Sequence, residues 1–153
     1  MESFINVFHN NTLWIAVMAW FIAQLIKFFT ELVRNKRVRF VLFFSSGGMP
    51  SSHTAFVTAM AAGIGLTEGF DTPIFALAAV ISIVIMYDAA GVRRAAGKHA
   101  AAINTIFDAI DSEDKIDEKL KELLGHSPLE VLAGAALGIG VGYLITRSLR
   151  YLM

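Results

Sequence analysis

The chain carries four apolar stretches, at about residues 13–33, 53–66, 74–92 and 129–149, separated by a loop at 34–52 whose apolar run Phe40–Phe44 is too short to span, a short polar turn at 67–73 and one long polar insertion. This pattern limits the fold more than any single motif does. About 20 apolar residues span a bilayer as a helix, and a backbone in lipid must satisfy its own hydrogen bonds. Only 17% of the 153 residues are charged, against about 25% in a typical soluble domain. The chain reads as an all-α, polytopic membrane helix bundle of about four transmembrane helices. It forms a single domain, residues 1–153, with an amphipathic cytoplasmic insertion at about 95–125. The net charge is zero, so nucleic acid is not an expected partner. There is no cysteine, which excludes disulfides and thiolate metal sites. The first twelve residues hold no Lys or Arg, so the first apolar stretch is expected to be retained and not cleaved as a leader.

The chemistry gathers around Gly47-Gly48-Met49-Pro50-Ser51-Ser52-His53, just before the second stretch. Glycines such as Gly48 let the backbone approach a ligand. Hydroxyls and free N–H groups at a helix start make an anion site. A histidine beside them can move protons near neutral pH. The stretch reads as a phosphate cradle with an acid or base attached. It also fits a plain helix N-terminus, with Ser51 or Ser52 as the cap and His53 exposed in the first turn.

The rest of the chain supplies partners for that cradle. Gln24, Lys27 and Glu31 share one face of the first helix, and polar residues there face protein or water. A Lys27–Glu31 pair at the membrane surface is the other reading. Arg34, Lys36, Arg37 and Arg39 form a basic knot. Asp88, Arg93 and Arg94 close the third stretch, and Asp88 either pairs with a cation or serves the site. In the insertion, Ile103, Ile106, Phe107 and Ile110 keep helical spacing, as expected of a helix lying on the membrane surface. Residues 113–124 read as a second, charged helix. Gly134, Gly138 and Gly142 recur every four residues, which permits close packing of the last helix. His9 and His99 read as surface residues.

Four crossings place residues 34–52 and 93–125 on one side. Those loops hold ten of the thirteen Lys and Arg residues. The positive-inside rule then puts that side in the cytoplasm of a plasma (inner) membrane protein. Lys27, Arg34, Ser51, Ser52, His53, Arg93, Arg94 and His126 all fall at that face. Such cations, hydroxyls and histidines suit phosphoryl chemistry without a metal or cofactor.

These residues carry a family resemblance over most of residues 24–138. The chain resembles the type 2 phosphatidic acid phosphatase and vanadium haloperoxidase superfamily, and most of all its divergent membrane branch. Lys27 and Arg34 have the spacing of the Lys-x6-Arg-Pro motif, with Asn35 in place of proline. Pro50-Ser51-Ser52-His53 is similar to Pro-Ser-Gly-His, with Ser52 in place of glycine. Residues 126–130 are similar to the second half of Ser-Arg-x5-His-x3-Asp, with Glu130 in place of aspartate. Leu120 stands where that motif has its arginine, and Arg93 or Arg94 fills the role if residues 95–125 are inserted between the halves.

The resemblance implies a phosphohydrolase acting on a lipid phosphate or diphosphate. His126 would be the nucleophile, Glu130 its orienting partner and His53 the general acid. Lys27, Arg34, Ser51, Ser52 and Arg93 or Arg94 would hold the phosphate, with Gln24, Gly48 and Asp88 in support. Residues 127–130 also spell a capping box with Pro128 at the first helical position. A relative that binds or transports a phosphorylated lipid without cleaving it fits the same residues. So does a structural membrane protein whose basic loops attract anionic lipid. The superfamily core usually has six helices, and a homodimer or a minimal core would account for four.

Overall fold

The structure is a computed structural model that describes residues 6–35, 48–109, 120 and 125–152. A single 3-10 turn, Asn6–His9, precedes five α-helices: α1 (Asn11–Asn35), α2 (Ser52–Glu68), α3 (Pro73–Ala90), α4 (Val92–Ala109) and α5 (Pro128–Leu152). No strand occurs among the described residues. The basic knot at 36–39, Gly47, Ile110, Asp111 and the charged stretch 113–124 (apart from Leu120) lie outside them.

Three runs are long and apolar enough to cross a membrane: Asn11–Val33, Pro73–Ala109 and Pro128–Tyr151. The second joins α3 and α4 across Gly91, whose N–H reaches the Tyr87 carbonyl at 2.9 Å. The helix boundary therefore falls before Arg93 and Arg94, not after them, and both arginines open α4. α2 has 17 residues and a different character. It is rich in Thr, Ala and Gly, and it touches α5, α1 and α3. A helix enclosed by protein does not need an apolar surface, which is why α2 can be short and mixed. At 1.5 Å per residue it is about 25 Å long, near the lower limit for a span.

α1 buries Ile15, Ala16, Ala19, Ala23, Gln24 and Lys27 along one face. Trp14, Met18, Phe21, Phe29 and Val33 point outward, as expected of side chains that meet lipid. Ile15, Ala19, Ala59 and Val141 form the central cluster where α1, α2 and α5 meet.

The glycines of α5 explain its closeness to α2. A Cβ on Gly134 would strike the carbonyl of Ser51, one on Gly138 would strike that of Ala55, and one on Gly142 would lie 2.8 Å from that of Ala59. Each step advances four residues on both helices, so the two run parallel and in register. The fourth step pairs Thr146 with Gly63. Small residues at this period let helix backbones approach without loss of contact.

α4 leaves the bundle and touches chiefly α3. Its apolar residues Val92, Ile103, Ile106 and Phe107 are exposed, whereas Asn104 is buried. The Asn104 amide donates to the Leu120 carbonyl at 2.8 Å and accepts the Leu120 N–H at 3.0 Å. Leu120 thus meets the side of α4 that carries Asn104, and among the described residues the apolar side is open, as an amphipathic surface helix requires.

Candidate functional site

Four helices bring their ends together at one end of the bundle. Ser51 is the N-cap of α2, and its Oγ accepts from the Thr54 N–H at 3.4 Å and the Thr54 hydroxyl at 3.0 Å. Its own N–H donates to the Glu130 carbonyl at 3.0 Å, which ties the start of α2 to the start of α5. Ser51 is fully buried and committed to this junction. Ser52 is the first residue of α2, and its Oγ accepts from Lys27 Nζ at 3.2 Å.

Lys27 comes from the buried face of α1 and is only 8% exposed. No carboxylate of the described residues lies within ion-pair distance of it, and its one hydrogen-bond partner is neutral. The ammonium is held by a hydroxyl, and the Glu130 carboxylate acts on it from beyond ion-pair distance. Gly48 lies beside the Lys27 stem at φ +83°, a backbone conformation that favours glycine. Gln24 is buried one turn before Lys27. Arg34 lies two turns after Lys27 in α1, and its side chain is outside the described residues.

His126 hangs between α3 and α5. Its N–H donates to the Ala89 carbonyl at 2.9 Å. Gly125, at φ +91°, brings the chain against the backbone of Arg93 and Arg94, where a Cβ would come within 2.5 Å of the Arg94 nitrogen. His126 Nδ1 stands 3.2 Å from Glu130 Oε2. A carboxylate can only accept, so Nδ1 carries the proton and Nε2 keeps its lone pair. Nε2 is buried and has no hydrogen-bond partner among the described residues. Burial pushes the His126 imidazole below the usual histidine range. The Glu130 hydrogen bond opposes this, and the charges of Lys27 and Arg93 add to it. Burial and these cations thus favour the neutral imidazole.

The same Glu130 oxygen accepts the Ser127 N–H at 2.9 Å, while Ser127 Oγ accepts the Glu130 N–H at 3.3 Å. The capping box and the histidine partner are one arrangement, not alternatives.

His53 is exposed in the first turn of α2, within electrostatic reach of Arg93, Lys27 and His126. Arg93 Nε donates to Asp88 Oδ2 at 2.7 Å across the Gly91 break. Asp88 is thus the charge partner of Arg93. Arg94 is exposed, and its backbone meets Gly125. The structure brings together Lys27, Gly48, Ser51, Ser52, His53, Arg93, His126 and Glu130. Among the described residues no three side chains of His, Asp or Glu converge. Apart from Glu130 and Asp88, which are engaged by His126, Ser127 and Arg93, the polar side chains gathered here are cations, hydroxyls and imidazoles, a set suited to an anion.

Three contributors have no mark in the motifs. Thr54 holds the Ser51 hydroxyl, and its place three residues on is the signature of such a cap. The Ala89 carbonyl and the left-handed turn at Gly125 are backbone features, and only the glycine leaves a trace in the sequence.

A membrane helix bundle with a cationic, hydroxyl-bearing cradle at one end defines the class. Within it the chain belongs to the Divergent PAP2 family, whose profile matches residues 8–141. The chain is also similar to the Uncharacterized membrane protein YuiD of Bacillus subtilis (strain 168). The two are 39% identical over 154 residues, covering 93% of this chain and 95% of that protein. No solved structure matches the chain.

Proposed function

We propose that the protein hydrolyses a lipid phosphate or diphosphate through a phosphohistidine on His126, at the cytoplasmic face of the plasma (inner) membrane. The observation that carries this reading is the state of His126: Nδ1 on Glu130, Nε2 buried and without a partner. A neutral imidazole fixed in that tautomer has its lone pair ready for attack.

In the first step Nε2 bonds to phosphorus and the bond from phosphorus to the lipid oxygen breaks. A protonated His53, its charge stabilised by the bound phosphate, donates to that leaving oxygen. Glu130 stabilises the positive charge that His126 gains. Lys27, Ser52, Arg34 and Arg93 or Arg94 neutralise the phosphoryl oxygens, which carry the charge in the transition state. Ser51 acts through the backbone by fixing the start of α2. In the second step water attacks the phosphohistidine, His53 takes its proton, and inorganic phosphate leaves. Membership of the Divergent PAP2 family and the buried Lys27, whose hydrogen-bond partner is a neutral hydroxyl, both support a phosphate ligand.

The test is release of inorganic phosphate by purified protein from a panel of lipid phosphates, with acid-quenched radiolabel on the protein. Label and turnover should both vanish in His126→Ala. Binding of phosphorylated lipid that depends on Lys27, without any release of phosphate, would replace hydrolysis with binding or transport.

A further inference from the structure

The other end of the bundle holds a cavity of about 430 Å³ lined by Leu66, Tyr143, Thr146, Arg147, Arg150 and Tyr151. That volume is within the range of small-molecule sites. It lies at the C-terminal ends of α2 and α5, whose N-terminal ends build the candidate active site, so one helix length separates the two.

Arg147 is held in place there. Its guanidinium lies 5.8 Å from the ring centres of both Tyr143 and Tyr151 and donates to both hydroxyls. The phenols orient the charge without cancelling it. Arg150 donates to the Leu66 carbonyl in the last turn of α2. No carboxylate of the described residues lies within ion-pair distance of either arginine.

Thr146 is the second, independent observation. Hydroxyl side chains in a helix commonly bond the carbonyl four residues back. Thr30, Thr58, Thr67, Ser82, Thr105 and Ser148 all do so here. Thr146 does not: it is 3% exposed, and its Oγ1 is buried with no partner among the described residues. A buried donor without a partner is costly unless something else accepts from it.

We propose that this cavity binds a phosphate group, borne by a phospholipid headgroup or free in solution, on the membrane face opposite the candidate active site. Arg147 supplies the charge, Arg150 a second guanidinium and Thr146, a lining residue whose Oγ1 is otherwise buried near Gly63, a hydroxyl that turns to the anion on binding. Tyr143 and Tyr151 are both exposed, and Tyr151 stands in the last turn of α5, where amphipathic rings sit at headgroup level.

The experiment uses native mass spectrometry and thermal unfolding of the full chain in a sugar-headgroup detergent. The probes are phosphatidylglycerol, a phosphodiester that the proposed hydrolysis does not consume, and inorganic phosphate. At least one probe should bind and raise the unfolding temperature. Its affinity should fall about tenfold or more in Arg147→Gln and fall in Thr146→Val, and it should persist in Lys27→Met. Retention of phosphatidylglycerol that excess phosphate does not displace assigns the lipid, and binding of phosphate alone assigns the free anion. If Arg147→Gln fails to fold, Thr146→Val decides. Binding of neither probe, or equal binding by wild type and the folded cavity variants, would overturn the proposal.

Discussion

Nδ1 of His126 and Oε2 of Glu130 stand 3.2 Å apart across one helical turn, and the same oxygen takes the Ser127 N–H at 2.9 Å. One carboxylate thus caps α5 and holds the imidazole, and two substitutions separate these duties. Ser127→Ala removes the reciprocal cap and should cost about 1 kcal/mol of stability with little change in rate. Glu130→Gln keeps an oxygen for the Ser127 N–H but lacks the charge that steadies an imidazolium. Phosphate release should fall by about 10²-fold or more in that variant. Rates that track stability alone in both variants would leave Glu130 as a cap.

His126 should titrate below the usual histidine range, because burial disfavours its charged form. The acid limb of phosphoenzyme formation should then lie below about pH 6.5. Glu130 favours the protonated imidazole and Lys27 opposes it. Glu130→Gln should move the limb to lower pH, and Lys27→Met should move it to higher pH. NMR titration of the His126 ring in each variant measures both signs. Shifts in the same direction would contradict the geometry.

Gly138 and Gly140 lie two residues apart on α5 and predict opposite outcomes. A Cβ at Gly138 would strike the Thr58 hydroxyl and the Ala55 carbonyl, whereas one at Gly140 would meet nothing within 4 Å. Gly138→Ala should destabilise by about 1–3 kcal/mol through overpacking. Gly140→Ala should be neutral or stabilise by up to about 1 kcal/mol through helix propensity. Thermal unfolding in detergent reads both, and equal effects would deny the close approach of α2 and α5.

The charge distribution predicts that the candidate site faces the cytoplasm. The chain has no cysteine, so single cysteines at Ser45 and Ser112 report sidedness cleanly. Both should be protected from an impermeant thiol reagent in intact cells and labelled after lysis. Labelling of both from outside would reverse the orientation.

Much of the site is legible because helix spacing fixes faces. Lys27, Ser52, His53, His126 and Glu130 stand in the sequence at positions that a bundle brings to one end. Periodicity does not say which helix meets which. Lys27 and Ser52 touch because α1 packs on α2, and nothing within either stretch specifies that pairing. Asp88 and Arg93 are neighbours in sequence, yet their ion pair depends on how the chain turns at Gly91. Hydropathy suggests that the second stretch ends near residue 66, whereas α2 continues to Glu68, where Gly69 at φ +107° stops it. Arg147 and Arg150 read in the sequence only as the minority charges of the outer side. Their setting emerges when α5 is laid along α2 and Thr146 falls beyond the last glycine.

That alignment also decides which parts of the bundle can move. Gly134, Gly138 and Gly142 set the backbones of α2 and α5 against each other at three successive turns, so sliding or parting them breaks every contact at once. The pair is a stator. The inner nitrogen of His126 is buried among the described residues, so on the proposed reading a phosphate reaches it only after the groups around it shift. Two polar fastenings hold those groups: Lys27 to Ser52 on the α1 side, where Ile15 and Ala19 also pack against Ala59 and Val141, and the Ala89 carbonyl to His126 on the α3 side. A headgroup that drew Lys27 onto its own oxygens would release the first fastening by the act of binding.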